Sequence, residues 1–473
     1  MAGEKFTSDV VIGLEIHAEM ATQSKLFCGC STHGTDEPNT RTCEVCLGMP
    51  GSKPVLNRKA VDFALKLCLA LNCRIAPQLV FSRKSYFYPD MAKNYQISQY
   101  EIPLGKKGSL KLKSGKEVGI TRVHIEEDPA ALVHPSGMER STYVLVDYNR
   151  SGDPLCEIVT DPELESPSEA RDFMKQLITV LNYLSIFDIN RCIIKADCNV
   201  SIKESGYVRA EIKNVTGFKE IERALKYEVE RQKKEVHEGN SLKQETRAWD
   251  PDLGITRPMR TKEVEEEYGY ILDPDLTVID ITDEMVSAVE QDMPELAESK
   301  IEKYVKEYNL KKEDAEILSQ EKLLADLFEK VAEEIDPVLA AKWLRRELVR
   351  VLNYSKKKLA EIELDERHLI DLLKLVEEKK ITETTGQNLI EKLLQEPFDV
   401  KEYVENQGLA AVSDKGELEK FCKEAVEENP KAVEDLKQGN ENSLNFLVGQ
   451  VMRKTKGKAV PKEVNEILRK LVG

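Results

Sequence analysis

The stretch Val10–Met20, VVIGLEIHAEM, decides how the first half of this chain folds. Apolar and polar residues alternate along it with a period of two, as they do in a strand with one face in a core. Glu15 and His17 lie two positions apart and therefore share a face. The stretches YVLVDYN (143–149), LCEIVT (155–160), CNVSI (198–202) and VRAEIKNV (208–215) read as strands in the same way. Helical patterns lie between them. These are NRKAVDFALKLCLAL from 57, PSEARDFMKQLITVLNYL from 167 and the charged FKEIERALKYEVERQKKEV from 218. Ser166, Pro167 and Ser168 supply a helix-start signal for the second of these. GKKGSLKLKSGKE (105–117) has glycines and lysines but no Ser or Thr after a Gly-Lys pair, so it reads as a hairpin and not as a phosphate loop.

From Pro294 the pattern becomes almost wholly helical: PELAESKIEKYVKEY, KKEDAEILSQEKLLADLFEKVA, then PVLAAKWLRRELVRVLNY. A break at EPFDVKEYVENQGLAAVSD precedes a small helical module from about Gly408. The expected fold class is α+β. A β-rich domain spans 1–293, an all-α domain 294–407 and a small all-α tail 408–473.

Cys28 and Cys30, then Cys43 and Cys46, form a C-x-C and a C-x-x-C around the polar loop STHGTDEPNTRT. Zinc takes four soft ligands in a tetrahedron, and two short knuckles supply two each. The loop between them cannot build a core of its own, so a metal is the expected organiser. His33 is a candidate substitute ligand, and four unrelated thiols are the plainer alternative. The remaining cysteines are scattered, which fits a reducing cytosol better than a disulfide scaffold.

Carboxylates gather on the predicted strands. Glu15 and His17 are joined by His124, Glu126, Glu127 and Asp128 in HIEED, by Asp197 before CNVSI and by Glu211 in VRAEIKN. Acids on a strand face are costly to bury unless something cationic is present. Magnesium prefers hard oxygens and keeps sites open for a phosphate, so such a face suits a nucleotide-dependent step. A solvated sheet face with ordinary ion pairs has the same spacing. FSRKSYFYPDMAKNYQISQYE places Arg83, Lys84, Tyr86, Tyr88, Lys93, Tyr95, Gln96 and Gln99 close together. That mixture can hold phosphates and stack on bases, or form a surface loop whose tyrosines pack locally.

A net charge of −16 argues against bulk non-specific nucleic-acid binding. The last segment reverses that sign locally. Arg453, Lys454, Lys456 and Lys458 surround a glycine turn and could neutralise RNA phosphates, or simply solvate a helix face. There is no apolar run long enough to span a membrane and no secretory signal pattern, so a cytoplasmic protein is expected.

VIGLEIHAEM, CEVCLGMPG, RKSYFYPDMAKNYQISQYE, HIEED, DYNRSGDPLCEIV and FLVGQVMRKTKGKA together resemble the B subunit of the bacterial and archaeal aspartyl/glutamyl-tRNA amidotransferases, along the whole chain. The resemblance implies a cradle-shaped β-rich domain with a zinc-binding insertion, a helical domain and a tail that binds tRNA. It implies ATP-dependent phosphorylation of the side-chain carboxylate of misacylated Glu-tRNA(Gln) or Asp-tRNA(Asn). Ammonia from a glutaminase A subunit then displaces phosphate, and a C subunit completes a heterotrimer.

Carried over by position, Glu15, His17, Glu127, Asp197 and Glu211 are the implied magnesium ligands, with Glu126 beside them as a catalytic residue. Cys28, Cys30, Cys43 and Cys46 are the implied ligands of a structural zinc. Arg83, Lys84, Tyr86, Tyr88, Lys93 and Gln96 are expected to line or flank the ATP and substrate pocket. The archaeal E-type relative, which acts on Glu-tRNA(Gln) alone, carries a large insertion that is absent between LDPDLTVIDIT and MPELAESKIEKY. A non-catalytic, zinc-stabilised tRNA-binding scaffold is the remaining alternative. It has no need to converge carboxylates on one face.

Overall fold

Ile12, Leu14, Ile16 and Ala18 are at most 1% exposed, and they alternate along the strand Val10–Glu19 with Glu15, His17 and Glu19. This strand is the middle of a nine-stranded sheet in a computed structural model that describes residues 6–137, 141–188, 192–259, 268–410, 415–437, 440–455 and 458–472. From one edge the order is Ile255–Pro258, Glu245–Asp250, Ala210–Thr216, Ile194–Ile202, Val10–Glu19, Pro154–Thr160, Glu117–Glu127, Gly105–Lys111 and Arg74–Ile75. Neighbours run antiparallel, except that Ala210–Thr216 and Glu245–Asp250 are parallel. A parallel pair needs a crossover, and the helix Phe218–His237 lies in that connection.

One face of the sheet is apolar. Ala196, Cys198, Val200, Cys156, Ile158, Val123 and Ile125 extend the inner residues of Val10–Glu19 into one cluster. The helices Arg58–Ala70, Pro167–Tyr183 and Phe218–His237 contribute Leu65, Leu67, Phe173, Leu177, Ile221 and Leu225 to it. The first two helices have capped starts. Asn57 accepts from the amides of Lys59 and Ala60, and Ser166 accepts from that of Glu169 with Pro167 at the first helical position. The hairpin expected over 105–117 is present as the paired strands Gly105–Lys111 and Glu117–Glu127.

YVLVDYN departs from its expected reading. Only Leu145–Asp147 is extended, and it pairs with Ala131–Val133 in a separate two-stranded ribbon. Its alternation has no core behind it, since Tyr143 and Leu145 are exposed.

The chain divides into two compact units, Met1–Leu296 and Ala297–Gly473. The second is helical throughout its described elements. It contains two hydrophobic clusters, one from Tyr304 to Val404 and one from Leu418 to Leu468. The stretch from Lys311 to Ala332 forms two helices, Lys312–Leu318 and Lys322–Ala332, because the backbone turns at Ser319. The stretch from Pro337 is interrupted by a π-helical turn at Leu344–Leu348. Among the described residues no helix is long and apolar enough to cross a membrane.

Candidate functional site

The polar face of the sheet lines a cleft of about 750 Å³. Strand register, not sequence proximity, assembles it. Glu15 pairs with Asp197 on one side, and His17 pairs with Glu157 on the other. Glu157 in turn faces His124, and Leu155 faces Glu126.

Two ligand-competent groups result. In the first, atoms of His17, Glu126 and Glu157 lie within 4.8 Å of one another, as do those of Glu15, Asp197 and Glu211 in the second. His17 Nε2 is 3.4 Å from Glu126 and 3.5 Å from Glu157. His124 Nε2 is 3.4 Å from Glu157 and 3.8 Å from Glu126. Burial pulls the His17 pKa down, but its hydrogen bond to Glu157 and the charges of Glu126, Glu157 and Asp197 outweigh this and raise it to about 9. Burial also opposes protonation of His124, and Glu157 and Glu126 likewise lift it to about 9. Glu157 is held well below the usual carboxylate range, because the two histidines overcome its burial.

The second group is bridged by Lys213, whose Nζ is 2.7 Å from Glu211 and also contacts Asp197. Burial works against the Lys213 charge, but Asp197 and Glu211 overcome it and raise its pKa. Asp197 also accepts from the Asn214 amide at 2.7 Å. Asn199 donates to Glu15 at 3.1 Å, while its own Oδ1 is buried without a hydrogen-bond partner. That orphaned hard oxygen beside three carboxylates fits a hard cation. At the next edge, burial raises Asp128 to about 7, although Arg150 Nε lies 2.9 Å from it.

Glu127 belongs to neither group. It has the parity of Ile125, which points into the core, so its carboxylate lies away from Glu126. There it accepts from Lys93 Nζ at 2.5 and 2.6 Å and from the Ile97 amide at 2.8 Å. The structure therefore does not bring Glu127 together with Glu15, His17, Asp197 and Glu211. The adjacent Glu126 faces the cleft instead. Lys93 is committed to Glu127, and Arg83 to Asp273 and Asp275 at 2.8 Å each. Lys84, Tyr86 and Gln96 line the cleft. Tyr88 flanks it, half exposed, with its ring 5.9 Å from that of Tyr86. Glu157 and Lys213 belong to these two clusters without having been expected there from the sequence. The signal for Glu157 was available, since it stands between the apolar Cys156 and Ile158 in a stretch that reads as a strand and so takes the polar face.

The sulfurs of Cys28, Cys30, Cys43 and Cys46 lie within 4.8 Å of one another, and Cys43 and Cys46 are 3.9 Å apart. Zinc–sulfur bonds of about 2.3 Å put tetrahedral sulfurs about 3.8 Å apart, so the quartet fits the metal. All four are free thiols. Cys46 is lowered to about 5 by its hydrogen bond from Cys28, against burial, with help from Lys25, whose fully buried Nζ is 3.8 Å away. Burial raises Cys30 to about 11. His33 is not in the quartet. The knuckle touches the Glu127 pair directly: a Cβ on Gly48, which has φ 63°, would lie 2.9 Å from Lys93 Cα.

In the tail, Arg453 is exposed and Lys458 half-buried. Lys454 is paired with Glu424 at 3.2 Å and Glu428 at 2.6 Å. Lys456 lies outside the described residues.

Residues 10–287 match the family model described as the GatB/GatE catalytic domain, and residues 326–472 match the GatB domain. The chain is 43% identical over 471 residues to the B subunit of the aspartyl/glutamyl-tRNA(Asn/Gln) amidotransferase of Caldanaerobacter subterraneus, covering 98% of each chain. It is 43% identical over 475 residues to the like-named protein of Thermodesulfovibrio yellowstonii, covering 98% of this chain and 99% of the relative. That of a Thermoanaerobacter species is 42% identical over 471 residues, again covering 98% of each. A match that runs through the strands carrying the two acidic groups, and on into the helical unit, leaves one conclusion: the chain belongs to the family of aspartyl/glutamyl-tRNA(Asn/Gln) amidotransferase B subunits.

Proposed function

We propose that this chain activates the side-chain carboxylate of a misacylated aminoacyl-tRNA, Glu-tRNA(Gln) or Asp-tRNA(Asn), by phosphorylation with ATP. Ammonia from a glutaminase A subunit then forms the amide, and a C subunit completes the heterotrimer in the cytoplasm. The observation that carries this reading is the convergence of two carboxylate groups on one face of a single cleft. A binding scaffold has no use for acids that repel a polyanion, whereas a phosphoryl-transfer site does.

A carboxylate is a poor electrophile because its leaving group would be oxide. Phosphorylation supplies a good one. Both ATP and the substrate are anionic, so the protein must hold opposing charge between them. His17, Glu126 and Glu157, with Glu15, Asp197 and Glu211, are the residues that would hold magnesium, and Asn199 Oδ1 is within the same strand register. Magnesium, when bound there, supplies neutralisation of the phosphate charge. The side chains come from strands whose other face is packed, which suits a site that positions a phosphoryl group closely. Lys213 neutralises Asp197 and Glu211 from within the chain, and Lys84, Tyr86 and Gln96 flank the substrates. The Lys93–Glu127 pair positions the neighbouring segments without facing the cleft.

Cys28, Cys30, Cys43 and Cys46 are the ligands of a structural zinc, and Lys25 offsets the charge of the thiolates. We assign 1–293 to the cradle, 294–407 to the helical domain and 408–473 to the tRNA-binding tail. The two separate hydrophobic clusters of the helical unit support that division.

Four outcomes are expected. Glu126→Gln should fold, since the amide is isosteric, yet amide formation with free ammonia should fall on the order of a hundred-fold or more. Free ammonia separates activation from glutamine hydrolysis, and a fully active variant would remove Glu126 from the site. Glu127→Ala is a poor probe, because it strands the Lys93 ammonium in a largely buried position.

The raised His17 pKa, about 9 against an ordinary 6.5, makes magnesium displace a proton throughout the neutral range. Magnesium affinity, followed by calorimetry, should rise from pH 7 to pH 9 and then level off, with a shallower rise in His17→Gln. The same proton stabilises the cation-free fold fully below the ordinary pKa and ceases to do so as pH passes through about 9.

The purified protein should carry one zinc by elemental analysis. Cys43→Ser should lose it and lower the melting temperature, since structural zinc contributes on the order of 10 kcal/mol in small peptides. Arg453→Glu should weaken tRNA binding and reduce its salt slope by about one, while tRNA-independent glutaminase activity of the assembled complex stays unchanged.

A further inference from the structure

The carboxylates occupy only part of the cleft. Lys84, Tyr86, Tyr100, Tyr268 and Tyr270 line it as well. Tyr100 and Tyr270 are stacked, with ring centres 3.9 Å apart and planes 11° from parallel. Tyr268 lies 6.5 Å from Tyr86 and 6.5 Å from Tyr270. Lys84 Nζ is 4.6 Å from the centre of the Tyr268 ring. The short strand Ile271–Leu272 pairs with Ser82–Ser85, and that pairing brings the two tyrosine-bearing segments together.

These rings are not core residues. Tyr100 is 49% exposed and belongs to no hydrophobic cluster. Stacked phenols at the wall of a cleft present a flat, amphipathic surface, and flat surfaces of this kind take planar heterocycles. Charge decides where such a ring would go. The sheet face is acidic, and it attracts phosphate only through a cation or a lysine. Its carboxylates can accept from the amino group of a base but offer no flat surface to stack on. The tyrosines are the complementary part of the same cavity, and Lys84 beside them is placed for a phosphate next to the base. Both substrates of the proposed reaction carry the same planar ring. ATP has one adenine, and every tRNA ends in an adenosine that bears the amino acid.

We propose that the Tyr100–Tyr270 pair is a stacking platform for an adenine ring, delivered by ATP or by the 3′-terminal adenosine of the tRNA. This rests on the function proposed above. Stacking on an aromatic side chain is sequence-tolerant, since every base has a π-face, so the platform holds the end of a substrate without reading its sequence.

The test uses the assembled heterotrimer with Tyr100→Leu, which removes the ring, and Tyr100→Phe, which keeps it. Two probes distinguish the sources: 2-aminopurine riboside triphosphate, and misacylated tRNA with 2-aminopurine as its last base. Fluorescence of this base is quenched when it stacks. Quenching by the wild type and the Phe variant, lost in the Leu variant, is expected in one arm. That arm identifies the source. The KM for the corresponding natural substrate should rise roughly ten-fold or more in the Leu variant with kcat little changed. Tyr270→Leu should act like Tyr100→Leu, which guards against one variant failing to fold.

No quenching in either arm, or equal quenching and an unchanged KM in both Leu variants, overturns the platform. If those results come with normal ATP-dependent amide formation, the proposed function stands and only the platform falls. If the wild-type complex forms no amide with ATP, the function itself is wrong.

Discussion

Everything at this site depends on the register of one antiparallel strand. Val10–Glu19 is buried on one face, so a slip of one residue would carry Glu15 and His17 into the core and Ile16 into the cleft. The apolar face therefore decides where the acids go. Packing of Ile12, Leu14 and Ile16 against the helices fixes the strand, and the polar side chains are thereby carried onto the other face, where they meet one another.

That arrangement places like charges close together at a half-buried surface, which is unfavourable unless the charges are answered. The chain answers them in two ways. His17 and His124 stay protonated between Glu126 and Glu157, and Lys213 spans Asp197 and Glu211. Both devices are reversible. A cation of higher charge density can take over from an imidazolium or an ammonium, whereas an apolar side chain could not be displaced in this way. An acidic face whose charges are answered by exchangeable cations is compatible with the proposed binding of metal and phosphate.

The cysteine knuckle has a mechanical part in the same picture. Its Gly48 sits against Lys93, Lys93 holds Glu127, and Glu127 is the last residue of the strand that carries His124 and Glu126. The cysteine loop thus ends up braced on the strand that borders the cleft, although neither its thiols nor Glu127 line it. The proposed roles of zinc and of the acidic face are connected by packing, and each keeps its own chemistry.

Much of this was legible in the sequence. The period of two in VVIGLEIHAEM marked the strand and its polar face, because alternation is a local property of extended backbone. The C-x-C and C-x-x-C spacing marked the thiol quartet, because each knuckle is built from neighbours in the chain. Of the adjacent Glu126 and Glu127, both expected at the site, the same rule separates the two, since Glu127 shares the parity of Ile125. Other features were beyond any local rule. Glu15 meets Asp197, and His17 meets Glu157, across more than a hundred residues of intervening chain. The division of the acids into two groups, the pairing of Lys213 and Lys93 with particular carboxylates, and the stack of Tyr100 on Tyr270 likewise follow from strand order and register. Those are set by how the whole sheet closes over its helices, and a single strand carries no record of which neighbour it will find.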